Sequence, residues 1–223
     1  MAKVKKQEEI REENVKATVS ATEKFFSENK KLLIGVVAAI LVIGLGILGY
    51  NKFIYAPAVA DAQAHSYVAE INFQAGEWDL ALNGDGVNYG FAQICDEYGA
   101  KAGQAAYLYA ATCCAQLGQW SDALAYVKKY KGKEPILAAR ALALQGDCQL
   151  ALENPAEAVK CYEKAAAKAD NLFAAEYLVK AGRTYIVLGQ NDKALAAFKT
   201  VKDLYPMSID ASTVDKYINS TAE

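Results

Sequence analysis

Residues 182–206, GRTYIVLGQNDKALAAFKTVKDLYP, read as one helix that ends at Gly189 and a second that begins about three residues later. The joint, Gly189-x-Asn191-x-x-Ala194-Leu195, has counterparts at Gly76-x-Trp78-x-x-Ala81-Leu82 and Gly118-x-Trp120-x-x-Ala123-Leu124. A variant stands at Glu153-Asn154-Pro155-Ala156-Glu157-Ala158-Val159, so successive copies begin 42, 35 and 36 residues apart. A recurrence of this length marks stacked helical hairpins, since one hairpin alone cannot bury its apolar face. Only four prolines, with abundant Ala, Leu, Lys and Glu, also favour helix, and the chain is expected to be all-α.

The residue types at fixed places in each copy resemble the tetratricopeptide repeat (TPR). In the last copy these are Gly182, Tyr185, Gly189, Ala194, Phe198 and Pro206. The third keeps Gly146, Ala158, Tyr162 and Ala165, and the second keeps Gly118, Ala123 and Pro135. The resemblance implies a helical-hairpin solenoid of about four repeats over residues 62–208. Gly182 and Ala194 would lie where the two helices of a repeat cross, and Tyr185 and Phe198 would fill the gap to the neighbouring repeat. The first copy is about seven residues long of the others, and the excess falls at residues 83–90, NGDGVNYG. A loop there would interrupt the second helix until Phe91–Tyr98. Its Asp/Asn ladder is too short for a calcium loop, and no Gly-Lys-Ser/Thr follows to cradle a phosphate. Residues 209–223 should form a capping helix and tail. Ser208 is its N-cap, and Ile209, Val214, Tyr217 and Ile218 would cover the open end of the array.

Upstream of the repeats lies Leu32–Tyr50, LLIGVVAAILVIGLGILGY, without a charged residue. At about 1.5 Å per residue such a helix crosses the roughly 30 Å hydrocarbon layer, and a transmembrane helix is expected over 32–54. A cleaved signal sequence is the alternative, since Ala58-Val59-Ala60 has the small-x-small form, but the 31 residues before the run exceed an ordinary signal's leading region. Lys16, Lys24, Lys30 and Lys31 precede the span, whereas no Lys or Arg lies between Lys52 and Lys101. The positive-inside rule therefore puts the N-terminus in the cytoplasm and the repeats outside. Gly35 and Ala39 form a small-xxx-small pair suited to close helix packing. Tyr50, Phe53 and Tyr55 suit the interface, and residues 55–61 read as a short linker. The tail, residues 1–31, carries a weak apolar stripe of Ile10, Val15, Val19, Thr22 and Phe26.

Twenty-four Lys and Arg against 26 Asp and Glu leave a formal net charge of −2, without the clustered cations of a nucleic-acid binder. Five cysteines (95, 113, 114, 148 and 161) form no C-x-x-C pair and sit within apolar helical patterns, as free buried thiols do. The single histidine, His65, has no recognisable metal or catalytic partner spacing, so no catalytic residue, metal or cofactor is expected. An enzyme using His65 and the Asp85 loop is the minority reading.

Binding is better supported. In TPR arrays the first helix of each hairpin lines a groove, and three- and four-residue steps put Leu108, Thr112, Arg140, Asp147, Lys180 and Arg183 near it. Arg140, Lys180 and Arg183 could receive a carboxylate of a protein or peptide partner, with ordinary solvated charge as the alternative. The Asn and Lys set of the chaperone-tail clamp variety is missing. The layout of a charged tail containing Glu23-Lys24-Phe25-Phe26, one span and about four repeats resembles the YfgM-like TPR membrane proteins of bacteria. That resemblance implies a scaffold in the bacterial inner membrane, its repeats periplasmic, associated with the secretion translocon and periplasmic chaperones. An envelope-assembly factor, or an N-anchored receptor with cytosolic repeats, would share the fold.

Overall fold

The computed structural model describes residues 24–26, 28–169 and 171–221. The chain divides into two units, 1–57 and 58–223. The apolar stripe of the tail lies outside the described residues, except for Phe26.

In the first unit, helix α1 spans Lys30–Tyr50 and buries none of its residues. It is apolar on every face, and by length and composition it is long and apolar enough to cross a membrane. Gly35 and Ala39 are among its exposed residues, and a Cβ on Gly35 would meet nothing within 4 Å. Asn51–Tyr55 continues as a π-helix. Pro57 has no N–H to offer the carbonyl four residues back, and a widened turn just before it accommodates that loss.

Residues 55–61 are helical, which corrects the expected linker: Tyr55 closes the π turn, and α2 runs from Ala56 to Ala75. The alanine-rich APAVADAQA favours helix more strongly than one proline near its start opposes it.

In the second unit, α2 is followed by α3 (Trp78–Asn83), α4 (Phe91–Tyr98), α5 (Gln104–Gln116) and α6 (Trp120–Lys129). Then come α7 (Pro135–Ala151), α8 (Pro155–Ala169), α9 (Phe173–Val187), α10 (Asn191–Leu204) and α11 (Val214–Thr221). There is no β-strand among the described residues, and the helices form TPR-type hairpins. Gly76, Gly118 and Gly189 turn the chain between paired helices at φ of 79°, 74° and 68°. Glu153 takes the same left-handed turn, at φ 61°. A side chain there costs about 1–2 kcal/mol, partly offset by the greater unfolded-state entropy of glycine. Glu153→Gly should therefore raise stability by up to about 1 kcal/mol, read as a higher urea midpoint; a lower midpoint would contradict this reading of the turn.

The 83–90 insertion is a tight closed loop. Gly84 and Tyr89 form an antiparallel bridge, and a Cβ on Gly90 would lie 2.2 Å from the Leu82 carbonyl oxygen, so only glycine fits. The Asp85 carboxylate accepts the Val87 and Asn88 amides at 2.9 and 2.6 Å and the Asn88 side chain at 2.8 Å. These donors, the Asn88 amide foremost, hold its pKa down at about 2. A depressed carboxylate favours the folded loop above its unfolded pKa, and that contribution fades as pH falls through the folded value. The Val87 and Asn88 amide resonances should accordingly stay native-like at pH 4 and move between about pH 4 and 2. A transition centred well above pH 4 would contradict the assignment.

The hairpins pack by matching small residues to rings. A Cβ on Gly146 would stand 2.5 Å from Tyr162, and one on Gly182 would stand 2.5 Å from Phe198. Phe198 is thus seated within its own repeat, and its ring also stacks on Tyr217 of α11 at 5.1 Å. Val214 is fully buried beneath it, whereas Ile209, expected to help cover the end, is 88% exposed. The α-helical segment begins only at Val214, after a short 3-10 turn at Asp210–Ser212, and that turn points Ile209 outward. The Ser208 hydroxyl accepts the Ala211 amide at 3.1 Å. All five cysteines are free, and Cys161 alone is not fully buried. Burial pushes the thiols of Cys95, Cys113 and Cys148 up to about 12 and that of Cys114 to about 11, which makes them inert small hydrophobes.

Candidate protein-docking cleft between the third and fourth repeats

Asp147 follows Gly146 on α7 and Lys180 precedes Gly182 by two residues on α9, and their side chains meet where the third repeat adjoins the fourth. The ammonium of Lys180 donates to both Asp147 oxygens at 2.9 Å, and the buried Tyr162 hydroxyl donates to the same carboxylate at 2.8 Å. Glu176 lies 3.7 Å from Lys180, one helical turn away. Lys180 also sits 5.8 Å above the Tyr162 ring, a cation–π contact. Burial first, and the Asp147 charge second, push the Tyr162 phenol above its ordinary pKa, so it remains a donor at any physiological pH. Lys180 is therefore already satisfied within the protein.

Beside this group lies a cleft of about 240 Å³, lined by Asp147, Leu150, Tyr162, Lys180, Arg183 and Val187 among others. Arg183 is exposed and forms no ion pair among the described residues; Arg140 is likewise exposed and unpaired. The cleft thus offers one free guanidinium and an apolar rim, Val187 being 69% exposed. Thr184 supports it from beneath, its hydroxyl donating to the Lys180 carbonyl at 2.8 Å.

Of the six residues the sequence proposed, Asp147, Lys180 and Arg183 meet at this cleft, and Arg140 stands exposed on α7. Leu108 is a correction. It is only 8% exposed and packs with Ala111, Val127, Tyr130 and Ala141. Thr112 is half-buried, its hydroxyl donating to the Leu108 carbonyl. Sequence reasoning missed Leu150, Thr184 and Val187, and named Tyr162 only as a repeat-defining position. Three- and four-residue steps from Arg183 would have reached Val187, and from Asp147 Leu150.

Tyr162→Phe should cost about 1–2 kcal/mol in chemical denaturation, because Asp147 loses a donor while keeping Lys180. No change would show the hydroxyl to be solvated in solution.

His65 and Asp85 are not brought together as a catalytic pair. His65 stacks on Tyr89 at 4.2 Å and approaches Asp61 at 3.8 Å, while the Asp85 carboxylate is used by its own loop. Tyr98 donates to Asp61 at 2.7 Å, so this cluster fastens the insertion to α2. No group of three metal-ligating side chains occurs among the described residues.

Comparison with known proteins supports the same class. Models of the tetratricopeptide repeat match residues 139–167 and 176–208, the third and fourth hairpins. Two crystal structures of MamA share the fold: one, with 16% identity and a TM-score of 0.56, aligns over 72% of this chain and 86% of its own. The other has 18% identity and a TM-score of 0.54, over 70% and 88%. No curated protein matches the sequence significantly. The repeats support a role as a protein–protein interaction scaffold.

Proposed function

We propose that this protein is a non-enzymatic scaffold tethered to the bacterial inner membrane by α1. In this reading the N-terminus is cytoplasmic and the repeats hold a partner in the periplasm. The secretion translocon and periplasmic chaperones are the partner class, on the YfgM-like layout. The observation that carries the binding role is the cleft at α7–α9, where Asp147 and Tyr162 fix Lys180 and leave Arg183 exposed beside apolar Leu150 and Val187. A preformed cation beside an apolar rim suits an acidic segment with a hydrophobic side chain. The asymmetry of lysines around the span supports the orientation.

A photocrosslinker at position 187 of the full chain, in intact cells, tests this. The expected adducts contain a translocon or chaperone subunit and are lost in Arg183→Glu. Adducts that are absent, or that are unchanged by Arg183→Glu, would refute the cleft as the docking site.

A further inference from the structure

A second, larger cleft lies at the C-terminal end of the array. It measures about 560 Å³ and is lined by Leu172 and Phe173 at the start of α9 and by Met207 and Ile209 in the turn after α10. Each of these four is more than half exposed, and Met207 and Ile209 are exposed by 85% and 88%. Four large apolar side chains from two separate segments, all turned outward around one concavity, mark an interaction surface rather than scattered exposure. The charged residues lining it are both acidic, Glu176 and Asp210. Glu176 is shared with Lys180 at 3.7 Å, and Asp210 carries an ion pair with no described residue.

The opposite chemistry stands elsewhere on the same chain. The connection from α6 to α7 reads Lys128-Lys129-Tyr130-Lys131-Gly132-Lys133-Glu134-Pro135-Ile136-Leu137. Lys128, Lys131 and Lys133 are exposed and form no ion pair among the described residues, and Ile136 and Leu137 are 44% and 40% exposed beside them. The segment is held in shape: Tyr130 is buried, the Lys131 amide donates to the Gln104 side chain, and Glu134 caps Ile136 and Leu137. A preordered cationic loop with two aliphatic side chains complements an acidic-rimmed apolar cleft in both charge and polarity.

We infer that the cleft formed by Leu172, Phe173, Met207 and Ile209 docks the 128–137 segment of a second copy of this chain, with Lys131 and Lys133 facing Asp210 and Glu176. The two surfaces are different, so each copy has one cleft and one loop to offer, and the contact is made either reciprocally about a two-fold axis or head to tail. Two short segments bury less than the roughly 1,200 Å² of a stable interface, so the association is weak and concentration-dependent; tethering in one membrane raises its effective concentration. This surface shares no lining residue with the Arg183 cleft, and the two are linked through the Glu176–Lys180 contact at 3.7 Å.

The test is sedimentation velocity of the full chain in detergent micelles, from micromolar to near-millimolar protein. The wild type should show a sedimentation coefficient that rises with concentration and falls with added salt. Glu176→Lys with Asp210→Lys on one chain, and Lys131→Glu with Lys133→Glu on another, should each weaken association at least about tenfold with unchanged circular dichroism. Mixing the two variants should restore it, because each then offers the other a surface of opposite charge. A wild type that stays monodisperse throughout overturns the proposal. So does association that ignores both pairs of substitutions, as packing through Gly35 and Ala39 would, or a mixture that fails to recover. A monodisperse wild type that binds a synthetic Lys-Leu-rich peptide at the cleft would also overturn it, and would assign the surface to a different basic partner.

Discussion

Phe198→Ala should lose about 3–5 kcal/mol, the cost of removing a fully buried ring whose site cannot collapse. The site stays open because one wall is Gly182, which has no side chain to move inward, and another is the stacked ring of Tyr217. Helical repeats are stabilised mainly by their nearest neighbours, so the loss should be local. Hydrogen exchange in α9, α10 and α11 should accelerate by two orders of magnitude or more, while α5 and α6 keep their protection. Unchanged exchange at the C-terminal end would contradict the seating of Phe198 against Gly182. Uniform acceleration would show the array to unfold as one cooperative unit.

The second large effect is at α1. An Arg near the middle of a span costs about 3–4 kcal/mol relative to the Ile it replaces, so Ile40→Arg with Ile43→Arg should remove about 6–8 kcal/mol of insertion free energy. That is a substantial part of what a single apolar helix of this length can supply. The doubly substituted chain should leave the carbonate-resistant membrane fraction, where the unaltered chain is expected to remain. Retention of both in the membrane would mean that α1 is not what anchors the protein. Release of both would mean that the apolar faces of α1 are covered by protein rather than lipid.

The repeats were readable because the residues that define them are restricted by geometry. A left-handed turn favours glycine at 76, 118 and 189, and a ring pressed against a backbone leaves no room for a Cβ at 146 and 182. Where the backbone tolerates another residue the signal weakens: Glu153 makes the same turn and shows itself only through the Pro155–Ala158 pattern after it. The groove was less legible. Periodicity tells which residues share a side of one helix, but the rotation between successive hairpins decides whether that side meets a neighbour or solvent. Leu108 lies one turn before Thr112 and was therefore placed with it in the groove, yet its side chain packs against Val127 and Ala141. Asp147 and Lys180 pair their charges with each other. Arg183 has no such partner, and that distinction needs three dimensions. Ile209 failed for a related reason: its apolar character suggested a cap, but the 3-10 turn at Asp210–Ser212 directs it outward.

The central claim, that α1 carries the repeats across to the side opposite the N-terminus, is tested most directly by fusing paired reporters after Glu223. One is alkaline phosphatase, active only outside the cytoplasm, and the other a fluorescent protein that matures only inside it. An active phosphatase and a dark fluorophore are expected. A fluorescent fusion with silent phosphatase would place the repeats in the cytoplasm, contradict the reading of Lys16, Lys24, Lys30 and Lys31, and turn the search for the partner of Arg183 to cytosolic proteins.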